Sequence, residues 1–217
     1  MVAGIALCGA FFTEVVRPLL ARAHPRLEYA AALVGPGSDV LGYDTARSRD
    51  HDWGPRLHLF LRPADRARLA TELDDLFSRE LPPTFAGFPT HFSRAADGVH
   101  VMAPASGPVR HRIILTDPPT WYAHRLGFLP YQGIRLLDWL ATPTQLLLEE
   151  TAGAVYHDSP GTLTTARAAL AWYPDDVWRY ALAAQWQRIA EEEAFPGRCT
   201  ELGDHLGAAL VTARLVR

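Results

Sequence analysis

Segments with the apolar pattern of β-strands are confined to the first 128 residues, and this asymmetry restricts the folds open to the chain. They are the runs "YAAALVG" (29–35), "DHDWGPRLHLFL" (50–61), "GVHVMAP" (98–104) and "RHRIIL" (110–115). The last two are expected to form a hairpin. After Pro118-Pro119 the periodicity is helical, and no further strand is predicted. We therefore predict an α+β chain, with a mixed portion at residues 1–128 and an all-helical portion at 129–217.

Apolar residues three or four positions apart predict the helices. A first amphipathic helix is expected from Gly4 to Ala23, kinked or split by Pro18. Another is expected over Pro63–Leu81, before two prolines that cannot continue it. In the second portion three tryptophans are expected in the helical core, namely Trp172, Trp178 and Trp186.

The composition excludes several classes of protein. The 217 residues are 48% hydrophobic with a net charge of −3, and all 21 basic residues are arginines. No dense cationic cluster is present, so long nucleic acid is not an expected partner. Cys8 and Cys199 lie far apart without metal-ligand spacing, which favours reduced thiols. The apolar N-terminus lacks the basic region of a signal peptide, so we expect a cytoplasmic protein without a membrane span.

The most informative motif is Gly37-Ser38 followed, after eleven residues, by Asp50-His51-Asp52. On a strand, Asp50 and Asp52 would project from one face. His51 would then share the opposite, apolar face with Trp53 and the leucines of "RLHLFL", which predicts a packed histidine. Two acids on one face, at a set distance from a Gly-Ser loop, are not explained by a simple turn or cap.

This arrangement suits a nucleotide bound through Mg²⁺. Carboxylate oxygens of Asp50 and Asp52 are the hard ligands that Mg²⁺ prefers. A Gly37-Ser38 loop offers a close backbone and a hydroxyl to phosphates. Arg47 and Arg49 lie beside the acids and are candidates for bidentate phosphate contacts, with solvated or salt-bridged loop residues as the equal alternative.

The Gly-Ser and Asp-x-Asp pattern resembles the signature of the DNA polymerase β-type nucleotidyltransferase superfamily. The stretch "GPGSDVLGYDTARSRDHDWGPRLHLFL", with "PPTF", "YPDDVWRY" and "AAQWQRIAEEE", is similar to a bacterial family called domain of unknown function 4037. The superfamily resemblance implies a small mixed sheet with flanking helices. It also implies Ser38 at the terminal phosphates and Asp50 and Asp52 on Mg²⁺. Members of the bacterial family continue past this chain's last residue, so a truncated helical domain is expected.

Enzymes of that superfamily place a third acid on a neighbouring strand. The strand expected here, "RHRIIL", contains none, and Ile114 occupies the inner position. Asp117 is the best substitute, although Pro118 beside it indicates a turn. Asp44, within the loop, is the other candidate.

Besides a purely structural protein, two functions remain open at this stage. The first is a Mg²⁺-dependent nucleotidyltransferase that moves a nucleoside monophosphate from an NTP, expected to be ATP, to a hydroxyl of a small molecule. In it the helical portion would form the acceptor side of the cleft. The alternative is a weak or inactive nucleotide-binding or partner-binding module of the same fold, since loss of a general base typically costs about 10²–10⁴-fold in rate. The stretch "VYHD" is expected to end a helix, where His157 and Asp158 either line the cleft or form a turn.

Overall fold

A four-stranded mixed sheet is the central feature of the computed structural model, which describes residues 3–96 and 98–216. The strands in chain order are β1 (Tyr29–Leu33), β2 (Arg56–Leu61), β3 (Thr84–Phe85), β4 (Phe88–Pro89), β5 (Phe92–Arg94), β6 (His100–Met102), β7 (Arg112–Thr116) and β8 (Ala154–Asp158). The main sheet has the order β7-β2-β1-β8. Strand β1 is antiparallel to both neighbours, and β2 is parallel to β7. Two short ladders, β3 with β4 and β5 with β6, lie apart from it.

Helices make up most of the remaining ordered chain. They are α1 (Gly4–Phe11), α2 (Arg17–Ala23), α3 (Pro63–Glu80), α4 (Pro118–Leu126), α5 (Leu136–Ala141), α6 (Thr144–Thr151), α7 (Thr162–Leu170), α8 (Asp175–Glu192), α9 (Phe195–Glu201) and α10 (His205–Val216). The mixture of a small sheet with flanking helices confirms the predicted α+β class.

The core of the sheet portion lies on one face of β2. Leu57, Leu59 and Leu61 alternate along the strand and are buried among side chains of the first helices and α3, including Phe11 and Phe77. Because side chains alternate on a strand, Arg56, His58 and Phe60 project from the opposite face. The leucines are therefore in the core, as the sequence pattern predicted, and the second face carries the polar residues.

The first helical segment runs from Gly4 to Ala23 with a π-helical turn, Phe12–Val16, in its middle. Pro18 follows directly, and its missing N–H removes the α-helical hydrogen bond at this point. Judged by length and composition alone, this helical segment is apolar and long enough to cross a membrane. In this fold, however, Leu7, Phe11, Val16 and Leu20 are buried in the protein core.

Three strand predictions were wrong in detail. Strand β2 begins at Arg56 instead of Asp50, because Arg47–Asp50 forms a 3-10 turn and Gly54 has a φ of +132°. Strand β6 pairs with β5, while β7 pairs in parallel with β2, so the two do not form the expected hairpin. Strand β8 lies where a helix end was predicted. Gly153, with a φ of +72°, separates it from α6.

The chain divides into two compact units, Met1–Ala171 and Trp172–Arg217, whereas the sequence placed the division at residue 128. Strand β8 and its neighbouring helices belong to the first unit because β8 pairs with β1. In the second unit, Trp172 and Trp186 are 65% and 67% exposed, so they do not form the predicted core. Trp172 precedes α8, and it therefore does not follow the period of that helix.

Candidate functional site

A cavity of about 640 Å³ lies beside the polar face of β2. Its walls come from both ends of the connection between β1 and β2, and from the two parallel strands β2 and β7. The lining residues are Pro36, Gly37, Ser38 and Asp39, then Arg47, Ser48, Asp50, His51, Asp52 and Trp53, and on the strands Arg56, His58, Arg112 and Ile114. The cavity thus brings together the Gly-Ser loop and the Asp-His-Asp motif.

The Gly-Ser loop depends on a glycine at position 37. Gly37 has a φ of +149°, and a Cβ there would lie 2.5 Å from Asp39 Oδ1 and 2.9 Å from Arg56 Nη2. Only glycine allows the loop to pass so close to these two side chains. Next to it, Ser38 is exposed on the cavity wall, and its carbonyl accepts a 2.7 Å hydrogen bond from the N–H of Tyr43. Gly37 and Ser38 therefore line the same cavity as Asp50 and Asp52.

Asp39 and Arg56 form a buried ion pair beneath this loop. Nη2 of Arg56 donates to Oδ1 and Oδ2 of Asp39 at 2.8 and 3.0 Å, and the side chains are 8% and 2% exposed. The N–H of Val40 also donates to Oδ1 at 2.9 Å. Asp39 is therefore committed to holding Arg56 and the loop in place.

Asp52 lies in the loop before β2 and is fixed by three contacts. Its φ is +45°, an αL conformation that Asp tolerates better than most residues. The N–H donates to the carbonyl of His100 at 2.8 Å. Oδ1 accepts a 2.7 Å hydrogen bond from Nη2 of Arg112 and lies 3.6 Å from Nδ1 of His100. The carboxylate is still 43% exposed towards the cavity.

Asp50 and His51 lie on the same wall, and the predicted burial of His51 was wrong. The His51 side chain is 60% exposed, and its Nδ1 lies 2.7 Å from Oδ1 of Asp50. Position 51 is in a loop rather than on a strand, so alternation does not turn it towards the core. Asp50 is 69% exposed and contacts only this neighbouring histidine among its hydrogen-bond partners in the described chain.

The strand face of the cavity carries two arginines side by side. Arg56 and Arg112 are register partners on the parallel strands β2 and β7. Each is neutralised through one nitrogen, Arg56 by Asp39 and Arg112 by Asp52. The Nε atoms of both arginines are buried and have no hydrogen-bond partner. Burial and the neighbouring Arg56 lower the pKa of Arg112, against the opposing effect of Asp52.

His58 is the third member of this face. The residue is 4% exposed, and its Nδ1 is buried without a hydrogen-bond partner. Burial, followed by Arg56, Arg112 and Arg125, lowers the pKa of His58 to about 3, so the imidazole is neutral. Trp121 packs against it edge-on with ring centres 4.7 Å apart. The three unpaired polar atoms of Arg56, His58 and Arg112 therefore belong to residues of one cavity wall.

The two candidates for a third acid lie elsewhere. Asp117, predicted as catalytic, caps α4: its carboxylate accepts from N–H and Oγ1 of Thr120 at 2.8 Å each and pairs with Arg66 at 2.9 Å. Asp44 accepts from the N–H of Gly4 and from Nε1 of Trp53. Neither lines the cavity. Both carboxylates are satisfied by structural partners, which corrects the prediction for Asp117.

The two loop arginines separate in the structure. Arg47 lines the cavity, and its contact with a phosphate stays a prediction. Arg49 does not: its guanidinium lies over the rings of Trp53 and Phe88, 5.0 and 5.2 Å from their centres. A stacked guanidinium stabilises the loop by cation–π attraction, so Arg49 has a structural environment instead of the predicted phosphate position.

The donor set fits a ligand-borne metal better than a metal held by protein alone. Within residues 3–96 and 98–216, no group of three or more His, Cys, Asp or Glu side chains is arranged to hold an ion. Asp39 and Asp52 are each paired with an arginine, which leaves Asp50 as the freest carboxylate. Mg²⁺ commonly uses one or two carboxylates together with phosphates of a substrate, and Asp50 with Asp52 meets that smaller requirement.

Sequence reasoning missed Asp39, Arg56, His58 and Arg112. The signal was present in the alternation of "RLHLFL" and "RHRIIL", since the leucines that predict one buried face also place arginine and histidine on the other. The pairing of β2 with β7 was not predicted, and only this pairing brings Arg56 and Arg112 together.

A comparison with protein families gives one match. The family model described as Domain of unknown function (DUF4037) covers residues 139–217. The Gly-Ser and Asp-His-Asp motifs lie outside the matched residues. No curated protein and no solved structure matches the chain. The match supports the predicted likeness to this family, and the chain is similar to it over its C-terminal part.

Proposed function

We propose that the 640 Å³ cavity binds the polyphosphate of a nucleotide. The observation that carries the proposal is the group of Arg56, Arg112 and His58 in its lining, because Nε of each arginine and Nδ1 of the histidine are buried without a hydrogen-bond partner. A buried polar atom without a partner costs about 1–3 kcal/mol, so a ligand that satisfies it gains that amount. Two adjacent guanidinium groups call for an anion with several acceptor oxygens, which a phosphate chain provides.

The opposite wall supports the same ligand. The exposed Ser38 offers a hydroxyl, and Gly37, which has no side chain, leaves the neighbouring backbone N–H groups open to a phosphate. Arg47 adds a further guanidinium on the wall. The three arginines of the lining are formally balanced by Asp39, Asp50 and Asp52, so recognition depends on directed hydrogen bonds more than on net charge.

Calorimetry with ATP, tripolyphosphate, AMP and adenosine in the presence of Mg²⁺ tests the proposal. ATP and tripolyphosphate should bind, and adenosine should not. Arg112→Gln removes one charge-assisted contact, which is worth about 1.5–3 kcal/mol. The affinity for ATP should therefore fall roughly 10–100-fold. Arg66→Gln is the matched control, because Arg66 also pairs with a carboxylate at 2.9 Å but lies outside the cavity. No ATP binding by the wild type, or equal binding by both variants, would overturn the proposal.

Nucleotidyl transfer is the second candidate, and the placement of Asp50 and Asp52 in the lining of the same cavity as Ser38 favours it. With Mg²⁺ bound between these carboxylates and the phosphates, the ion would supply charge stabilisation to the transferring phosphoryl group. The chain's own residues would position the polyphosphate. A phosphate that binds Arg112 would compete with Asp52 for that guanidinium group. The protein-held general base that the superfamily resemblance implies is not provided by Asp117, which caps α4.

ATP labelled at the α-phosphate, incubated with Mg²⁺ and pooled small-molecule alcohols, separates the two candidates. Label transfer that is lost in Asp50→Asn and Asp52→Asn supports the transferase. Tight ATP binding without transfer supports the binding module alone. Transfer that persists in both variants would exclude these carboxylates as the metal ligands.

A further inference from the structure

A second cavity, of about 270 Å³, lies at the other end of the polar face of β2. Phe60 lines it, whereas His58, two residues earlier on the same face, lines the large cavity. Trp121 contacts both rings, at 5.6 Å from Phe60 and 4.7 Å from His58, and the two cavities share no lining residue. The small cavity is therefore a separate site, and nothing in its chemistry depends on the nucleotide proposed above.

The walls of the small cavity are apolar although helices begin there. Helices α3, α4 and α7 all start at this edge, but Pro63, Pro118 and Pro119 occupy the first positions of α3 and α4. Proline has no N–H, so these helix ends present fewer donors to an anion. The N–H of Thr120, in the first turn of α4, already donates to Asp117. The cavity is thus unlike a phosphate site.

One carboxylate oxygen of a lining residue has no hydrogen-bond donor in this apolar setting. Oδ2 of Asp158, at the end of β8, accepts from both N–H and Oγ1 of Thr164 at 2.8 Å. Oδ1 is buried and accepts no hydrogen bond. Asp158 lines the cavity, and the cation among the lining residues, Arg62, directs Nη1 to Glu28 and Nε to Asp65. A buried acceptor without a donor is unfavourable, so a ligand that supplies one is stabilised.

We infer that the small cavity binds a small apolar amine. The ammonium group donates to Oδ1 of Asp158, and the apolar body packs on Phe60, Tyr131 and the prolines of the wall. A volume near 270 Å³ lies just below the usual range of small-molecule pockets, about 300–1,000 Å³, so the ligand is no larger than one ring with a short amine arm. A charged donor is favoured over a neutral one because an ammonium group adds the attraction of opposite charges to the hydrogen bond with a carboxylate.

Saturation-transfer NMR and calorimetry with 2-phenylethylamine, 2-phenylethanol and phenylacetate test this inference. The amine should bind at least tenfold more tightly than the alcohol, and phenylacetate should not bind. Asp158→Asn keeps an oxygen for Thr164 but places an amide N–H₂ where the ammonium would sit, so amine affinity should fall at least tenfold. Glu28→Gln is the matched control: it also removes one carboxylate charge near Arg62, but Glu28 does not line the cavity.

A second variant protects the test against a folding defect in Asp158→Asn. Ala30→Val reduces the space without altering any charge, because Ala30 lines the cavity from β1. Ala30→Val should weaken binding of the amine and leave ATP binding in the large cavity unchanged. The inference is overturned if the wild type binds no amine, if the alcohol binds as tightly, or if Asp158→Asn and Glu28→Gln behave alike. Failure of ATP binding alone would affect only the proposal for the large cavity.

Discussion

Substitution of Asp39 by asparagine tests the buried ion pair on which the large cavity is built. Asp39 is the only partner that neutralises Arg56 in the described chain, through contacts of 2.8 and 3.0 Å, and both side chains are at most 8% exposed. Removing one member of such a pair leaves a buried charge and typically costs about 3–5 kcal/mol. Arg112 is the register partner of Arg56 on β7, so the uncompensated charge also faces a like charge.

The expected loss is therefore about 3–5 kcal/mol of unfolding free energy in the sheet unit. For a chain of 150–250 residues this corresponds to a fall in Tm of roughly 2–4 °C per kcal/mol. The chain contains two compact units, so a single global transition is not assured. Native-state hydrogen exchange of the β1 and β2 amides, read by mass spectrometry, reports on the relevant unit.

Asp65→Asn is the matched control. Asp65 is also largely buried and pairs at 2.8 and 2.9 Å with Arg62 and Arg68, but these arginines are 57% and 66% exposed and remain hydrated without it. Its loss should cost about 1 kcal/mol or less, as for surface pairs. If Asp39→Asn costs no more than Asp65→Asn, Arg56 does not need its counter-ion, and the account of the cavity wall is wrong.

Three further predictions concern the same unit. Gly37→Ala should abolish ATP binding in calorimetry, because its Cβ would meet Asp39 and Arg56. Gly42→Ala is the control: position 42 has a φ of +75° with open space around it, so the change should cost only about 1 kcal/mol of stability and leave ATP binding intact. Asp117→Ala should cost about 1–2 kcal/mol through loss of the α4 cap and leave ATP affinity unchanged; a loss of affinity would return Asp117 to the site. Because the folded pKa of His58 is about 3 and its unfolded pKa about 6.5, its stability contribution is complete above pH 6.5 and is lost as the pH falls. Urea unfolding should show about 2 kcal/mol of this loss between pH 7 and 5, and His58→Phe should remove that part of the slope.

The fold was predictable where periodicity is long and buried. The leucines of β2, the 18-residue helix α3 and the first helical segment all follow their sequence patterns into the core. Strand β8 was missed because it has only five residues and follows a helix directly, so its apolar residues extend a helical pattern. Its strand conformation comes from pairing with β1, a contact between residues more than 120 positions apart. Local sequence carries little information about such a partner.

The sequence pointed to only some of the cavity's residues, and it did not predict their geometry. Gly37, Ser38, Asp50 and Asp52 do meet at one cavity. They meet because both ends of the single connection between β1 and β2 line the cavity, whereas the sequence argument relied on a strand through both acids. The positive φ of Asp52, held by His100 and Arg112, has no signature in sequence, since it is imposed by contacts from β6 and β7.

The loop origin of these acids changes what the sheet itself contributes. With β2 beginning at Arg56, the strand positions that face the cavity carry Arg56 and His58, and the neighbouring β7 presents Arg112 and Ile114. A metal site of the expected kind needs carboxylates on these strands, but each position now holds a cation, a neutral imidazole or an apolar side chain. The strand part of the cavity therefore presents the arginines Arg56 and Arg112 as hydrogen-bond donors suited to an anion. The carboxylates lie on the loops, so a metal ion would depend on phosphates already held by the strands.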